Sequence, residues 1–232
     1  MATPVPTSSS PSAPAEADRA GRSAGKKTPH RSRSGWICVT FLATMTAAIA
    51  ARYFTLDPKL FLAQQGAVYV ANLVPLLFHV GGGILALALG PWQFVPRIRA
   101  RHPAVHRAIG RIYLLSALAA GIGGLLLVPK GLYWPVAPLG FAGLAIVLLH
   151  ASGMAFATIR RRAIIEHQIW MIRSYSLIFA AVTFRLWLAV LSGTALPFDW
   201  AYMSGAWLSW LINLLVAQRL IVRIRSRRLA YR

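Results

Sequence analysis

The chain has 232 residues, 57% of them hydrophobic, with 25 Lys and Arg against five Asp and Glu and a formal net charge of +20. A soluble domain carries about a quarter of its residues as charges of both signs, against 13% here, which excludes a soluble globular enzyme. A nucleic-acid binder spreads basic residues over a folded polar face; here they sit in clusters between long apolar runs, the composition of a polytopic membrane protein.

Residues 1–34 are rich in Pro, Ser and Ala, with basic residues from Arg19 to Arg33. Such a segment buries no core and is expected to be a disordered cytoplasmic tail, too long and Pro-rich for a secretory leader. Its charge suits anionic lipid headgroups, and His30 within it is expected to be solvated. Cys38, the single cysteine, permits no intrachain disulfide and no cysteine metal site; a buried packing role is expected.

Apolar runs long enough to cross a hydrocarbon core follow at Trp36–Phe54, Ala67–Leu89, Ile109–Val128, Val136–Ile159, Trp170–Leu191 and Ala201–Ile221. The expected fold is therefore all-α, a polytopic bundle of six transmembrane helices over residues 35–221, with a second basic tail at 222–232. With six spans, 21 of the 25 basic residues fall on one side; the exceptions are Arg52, Lys59, Lys130 and Arg185. Cytoplasmic loops carry the excess of Lys and Arg, so both termini are placed in the cytoplasm, with the bacterial inner membrane as the expected location. The opposite connections carry Tyr133–Pro135 and Phe198–Trp200 as aromatic interface anchors.

A pattern recurs within the bundle. The second span carries His79-x-x-Gly82 and the fourth His150-x-x-Gly153. After a basic connection, the third opens with His106 and Arg111-x-Tyr113, and the fifth with His167 and Arg173-x-Tyr175. Spans two and three thus match spans four and five as a parallel internal repeat, whose equivalent residues lie at equal depth. His150 lies ten residues before Arg160 and His79 ten before Leu89, if Gly90-Pro91 ends the second span; ten residues is about 15 Å, near mid-bilayer. Trp92 and Phe94 would then lie along the headgroups. The spacing from histidine to Arg-x-Tyr differs by one residue between the copies, requiring a late helix start or a local irregularity.

A histidine at mid-bilayer is costly without a partner. Two opposed imidazoles do not complete a zinc site but do complete haem, which brings its own four nitrogens. The expectation is haem b, with His79 and His150 as iron ligands at mid-depth and His106 and His167 as a second pair near the cytoplasmic side. Gly82 and Gly153 would leave room for the macrocycle, and Arg111, Arg173, Tyr113 and Tyr175 would hold propionates. Helix packing through small residues, with the histidines as hydrogen-bonding groups, is the alternative; His102 is expected to be interfacial. Arg185 either snorkels, anchors an anionic group entering from outside, or pairs with Asp199 or Asp57. Asn213 is expected to hydrogen-bond between helices.

The runs HVGGGILALALGPWQF, HPAVHRAIGRIY and FATIRRRAIIEHQIWMIRSYSLIFAAVTFRLW, over residues 70 to 190, resemble a bacterial family of predicted multi-pass membrane proteins defined as a domain of unknown function. One histidine on each of helices two to five is also similar to the six-helix dihaem cytochrome b proteins. That similarity implies pairing of His79 with His150 and of His106 with His167.

Two functional readings follow. One is a membrane oxidoreductase that passes electrons between haem b and a quinone or small reductant. The other is a small proton-coupled transporter or lipid-interacting protein without cofactor, in which His, Arg and Tyr line a proton or anion path. A structural or assembly partner is the third. The lipid bilayer is the one partner that composition requires; nucleic acid is excluded, and a homo-oligomer is left open.

Overall fold

The computed structural model describes residues 31–61 and 63–229. Residues 1–30, with His30, and 230–232 lie outside the described residues. The described chain is helical throughout: α1 (Arg31–Ala50), α2 (Leu73–Leu89), α3 (Pro103–Leu127), α4 (Val136–Arg160), α5 (Ile164–Ile178), α6 (Ala180–Leu191) and α7 (Phe198–Leu229), joined by shorter helical turns. Six segments are long and apolar enough to cross a bilayer: Ser34–Thr55, Leu73–Phe94, Pro103–Lys130, Val136–Arg160, Ile164–Leu191 and Phe198–Ser226. α1 begins at Arg31 and α7 runs to Leu229, so helix extends into both expected tails.

The bundle is apolar outside and small inside. Phe41, Val74, Phe78, Leu115, Val190 and Leu215 are exposed, while Ala43, Ala86, Ala117, Ala151, Ala155 and Ala180 are buried. In lipid the large side chains need no cover, and small residues let helix backbones approach. Cys38 is exposed on α1 rather than buried, so it faces outward with the large apolar side chains.

α2 and α3 pack through reciprocal glycines. A Cβ on Gly82 would collide with the backbone of Ser116 and Ala120, and one on Gly123 would meet the His79 amide at 2.6 Å and the Pro75 carbonyl at 2.7 Å. Gly82 is thus a packing glycine, whereas Gly153 is exposed and faces open space. The expectation that both clear room for one flat ligand does not hold.

At the end carrying the basic connections, called here the basic end, α4 turns directly into α5. Arg162 takes a left-handed conformation, φ 59°, and the Ala163 amide donates to the Thr158 carbonyl at 2.9 Å. α2 ends at Leu89, where Gly90–Phe94 forms a 3₁₀ turn. Trp92 is exposed as expected, but Phe94 turns inward and packs on Tyr175 with ring centroids 5.7 Å apart. Trp36 Nε1 of α1 donates to the Pro91 carbonyl, 3.1 Å, pinning this turn.

The fifth span is broken at Phe179 rather than continuous. There Asn213 of α7 reaches across: its Nδ2 donates to the Ser176 carbonyl at 3.1 Å, and its Oδ1 accepts from Thr183 Oγ1 at 3.0 Å. A side chain inserted into a helix ladder is a recognised cause of a break. Asn213 therefore bonds between helices as expected, and it positions α6.

Gly82→Ala or Gly123→Ala should cost about 1–3 kcal/mol through overpacking, whereas Gly153→Ala should stay within about 0.5 kcal/mol. Thermal denaturation of the purified variants in detergent checks this contrast.

Candidate functional site

A cavity of about 420 Å³ lies inside the bundle, within the range of ligand pockets, and all seven helices line it. Its deeper walls are apolar: Leu76, Leu87, Leu144, Leu148, Leu177 and Ile178. Polar groups converge where the wall approaches the end opposite the basic connections. They are Arg52, Tyr53, Gln65, Tyr69 and Lys130, with His79 and Arg185 further in.

Arg185, exposed on α6, borders this cavity. Its Nη1 donates to the Ala181 carbonyl one turn back, 2.9 Å, and the guanidinium lies within electrostatic reach of Arg52, Tyr53, Tyr69 and His79. The expected pairing with Asp199 or Asp57 is not formed; the ion pair found among the described residues joins Arg225 to Glu166 at 3.4 Å, at the basic end. Among the described residues no carboxylate lines the cavity. Aromatic rings brace the mouth: Tyr53 stacks on Phe61 at 5.2 Å and lies 6.1 Å from Tyr69, edge to face. Burial pushes the Tyr69 phenol upward from its ordinary range, so it stays neutral and able to donate. Gln65 Oε1 and Ser209 Oγ, both in the wall, are buried without a hydrogen-bond partner.

His79 faces this cavity. Its Nδ1 donates to the Ala120 carbonyl of α3 at 2.8 Å, which fixes the tautomer with the proton on Nδ1 and leaves Nε2 as an acceptor. His150 is elsewhere. On α4 the cavity wall is made by Phe141, Leu144, Ala145 and Leu148; His150 follows Leu148 by two residues, about 200° round the helix. Its exposed ring packs edge-on against Trp170 at 5.5 Å. The structure does not bring His79 and His150 together, so an iron held between these two rings has no support in this arrangement.

His106 and His167 are brought together. Each lies seven residues, two turns, before a residue of a bonded pair: Tyr113 Oη and Ser174 Oγ are 2.9 Å apart. The two imidazoles therefore share one side of α3 and α5 and are within electrostatic reach of each other. His167 Nδ1 donates to the Ala155 carbonyl of α4, 2.8 Å, while His106 Nδ1 is buried without a partner. The partner of Tyr113 is Ser174 and not Tyr175, which is how the one-residue difference in spacing is absorbed, since both histidines lie inside their helices.

The remaining expected residues do not assemble around one ligand. Arg111 is exposed, whereas Arg173 stacks on Trp170, 4.4 Å from the guanidinium carbon to the ring centroid, and donates to Gln218 Oε1 at 3.2 Å. Tyr113 and Tyr175 are buried. His102 is exposed at the basic end. No group of three or more His, Cys, Asp or Glu suited to a metal converges among the described residues.

Arg52, Lys130, Tyr53, Tyr69 and Gln65 were not singled out by sequence as site residues. Their signal was there: Arg52, Lys130 and Arg185 are three of the four basic residues outside the one-sided distribution, and all three line this cavity.

The family described as "Predicted membrane protein (DUF2306)" matches residues 76–221. The chain belongs to this family. The match starts at Leu76, the first α2 residue in the cavity wall, and ends at Ile221 of α7, so membership covers the walls supplied by α2 to α7 but not those of α1, nor Arg52, Tyr53, Gln65 or Tyr69 of the mouth. The chain is a multi-pass membrane protein. No curated protein and no solved structure matches the chain.

His79→Ala removes the side-chain hydrogen bond to the Ala120 carbonyl, whose helical bond remains, at an expected cost of about 0.5–1.5 kcal/mol. His150→Ala should change stability by no more than about 0.5 kcal/mol. Urea or thermal unfolding of the two variants in detergent separates them.

Proposed function

We propose that this membrane protein binds an anionic amphiphile in its central cavity, with the headgroup among Arg52, Lys130 and Arg185 and the apolar chain against the leucines below. One observation carries the reading: Arg52, Lys130 and Arg185, all three exposed, border one cavity whose deeper walls are apolar and which no carboxylate lines among the described residues. Like charges gathered at the edge of the hydrocarbon repel one another, and a bound anion relieves that repulsion. A phosphate monoester, with a charge between −1.5 and −2 near neutral pH, answers several cations better than a carboxylate does. His79 Nε2 and the Tyr53 and Tyr69 hydroxyls would complete the shell around the headgroup oxygens.

Cytoplasmic loops carry the basic excess, so the basic end is assigned to the cytoplasm and the mouth to the outer half of the bilayer. The ligand then enters from the outer side, as expected of a lipid-binding or transporting protein. Electron transfer through paired histidines is not carried forward, because only one member of the mid-depth pair faces the cavity.

The test is titration of the nanodisc-embedded protein with dodecyl phosphate, using dodecyl maltoside as a neutral control of equal chain length. Arg185→Gln should weaken dodecyl phosphate binding by about ten- to a hundredfold, the size of one charge-assisted hydrogen bond. Equal affinity for the neutral control, or no effect of Arg185→Gln, overturns the reading.

A further inference from the structure

The cavity leaves unexplained a second set of buried polar groups, between its floor and the basic end. Tyr113 Oη, Ser174 Oγ and Ser152 Oγ form a chain with two contacts of 2.9 Å, joining α3, α5 and α4. All three residues are buried, Ser174 completely. Serine is also used in close helix packing, but here the two serines are joined to a buried tyrosine hydroxyl in one continuous chain, unlike the neighbouring Ala117, Ala151 and Ala155. Three further atoms nearer the basic end are buried without hydrogen-bond partners: Tyr175 Oη, Gln93 Nε2 and His106 Nδ1.

These groups lie on one route. Side chains on a helix lean toward its N-terminus, and α3 and α5 both begin at the basic end, so Tyr113 and Tyr175 point that way. The Tyr175 ring lies against Gly90, the first residue of the turn that contains Gln93. The Gln93 amide in turn lies at Gly110, one turn above His106 on α3. His106 lies within electrostatic reach of His167 of α5 and of Arg99 and Arg107. In the other direction Ser152 is one turn below Leu148, and Ser174 is one turn below Leu177 and Ile178, all three of which line the cavity. Polar groups thus follow one another from the basic surface to within one helical turn, about 5 Å, of the cavity floor.

We infer that this column is a proton path between the basic end and the cavity, which couples proton movement to the anion bound there. Buried polar groups without partners are the places where ordered water is retained, and water links His106, Tyr175 and Gln93 to the hydroxyl chain. His106 takes up a proton on one ring nitrogen and releases one from the other. Each hydroxyl accepts a proton and passes on its own, so every group ends in its starting protonation state. Leu148 and Leu177 form the apolar collar that the last step crosses. The coupling rests on the anion-binding reading above; the path itself does not.

The full chain is reconstituted in liposomes with pyranine trapped inside and a valinomycin-imposed potassium potential. Proton entry is followed with and without external dodecyl phosphate. Wild type should exceed protein-free vesicles in at least one condition. The double variant His106→Gln/His167→Gln, and Tyr113→Phe, should each reduce that flux by about a hundredfold, the low end of what a positioned proton-transfer group contributes. A wild-type elution profile and thermal midpoint in detergent show that a variant is folded; Ser152→Ala replaces any variant that loses them. Flux equal to protein-free vesicles in both conditions, or flux that survives in the folded variants, overturns the path. Proton flux in a wild type that never binds dodecyl phosphate leaves the path standing and removes the anion-binding reading.

Discussion

A cation inside a bilayer needs an opposite charge, and this chain has almost none to offer. Only Asp57, Glu166 and Asp199 provide carboxylates among the described residues, and none of them lines the cavity. Glu166 is engaged by Arg225, and Asp57 and Asp199 accept bonds from neighbouring backbone amides. Arg185 is left with a carbonyl of its own helix and a set of phenols. Its guanidinium is exposed on α6 and has no carboxylate partner among the described residues, so the bundle presents unbalanced positive charge at one end.

The cavity that frames this charge follows from how the helices are packed. Glycines at Gly82 and Gly123 draw α2 and α3 so close that the His79 ring reaches the Ala120 carbonyl. α6 meets α7, and the Asn213 amide of α7 takes the Ser176 carbonyl at the junction of α5 and α6. The cavity lies among these helices, with α2 and α3 in close contact on one side of it. Small residues at Gly83, Gly121 and Gly124 keep that space open.

All six spans were legible in the sequence because hydrophobic runs and clustered arginines report directly on the cost of placing a residue in lipid. The break at Phe179 was not: it arises from an amide on another helix, and the Ala- and Phe-rich segment around it carries no Gly or Pro. The pairing of His79 with His150 rested on similar flanking residues, but which face of a helix meets a neighbour depends on packing partners that a local motif does not encode. Leu148 faces inward and His150 outward on the same turn of α4. The cations at the cavity were visible as exceptions to a charge rule, yet their convergence depends on Arg52, Lys130 and Arg185 arriving from three distant parts of the chain.

α7 runs for 32 residues without interruption, close to 48 Å at the rise of an α-helix, about 1.5 Å per residue. Near one end it grips α6, through Ser204 with Trp187 and Asn213 with Thr183; near the other, Arg225 holds Glu166 at the start of α5. α7 therefore touches both halves of the fifth span, α6 through half-buried side chains and the start of α5 through an exposed ion pair. One uninterrupted helix thus serves as the common ruler against which the two ends of that span are aligned.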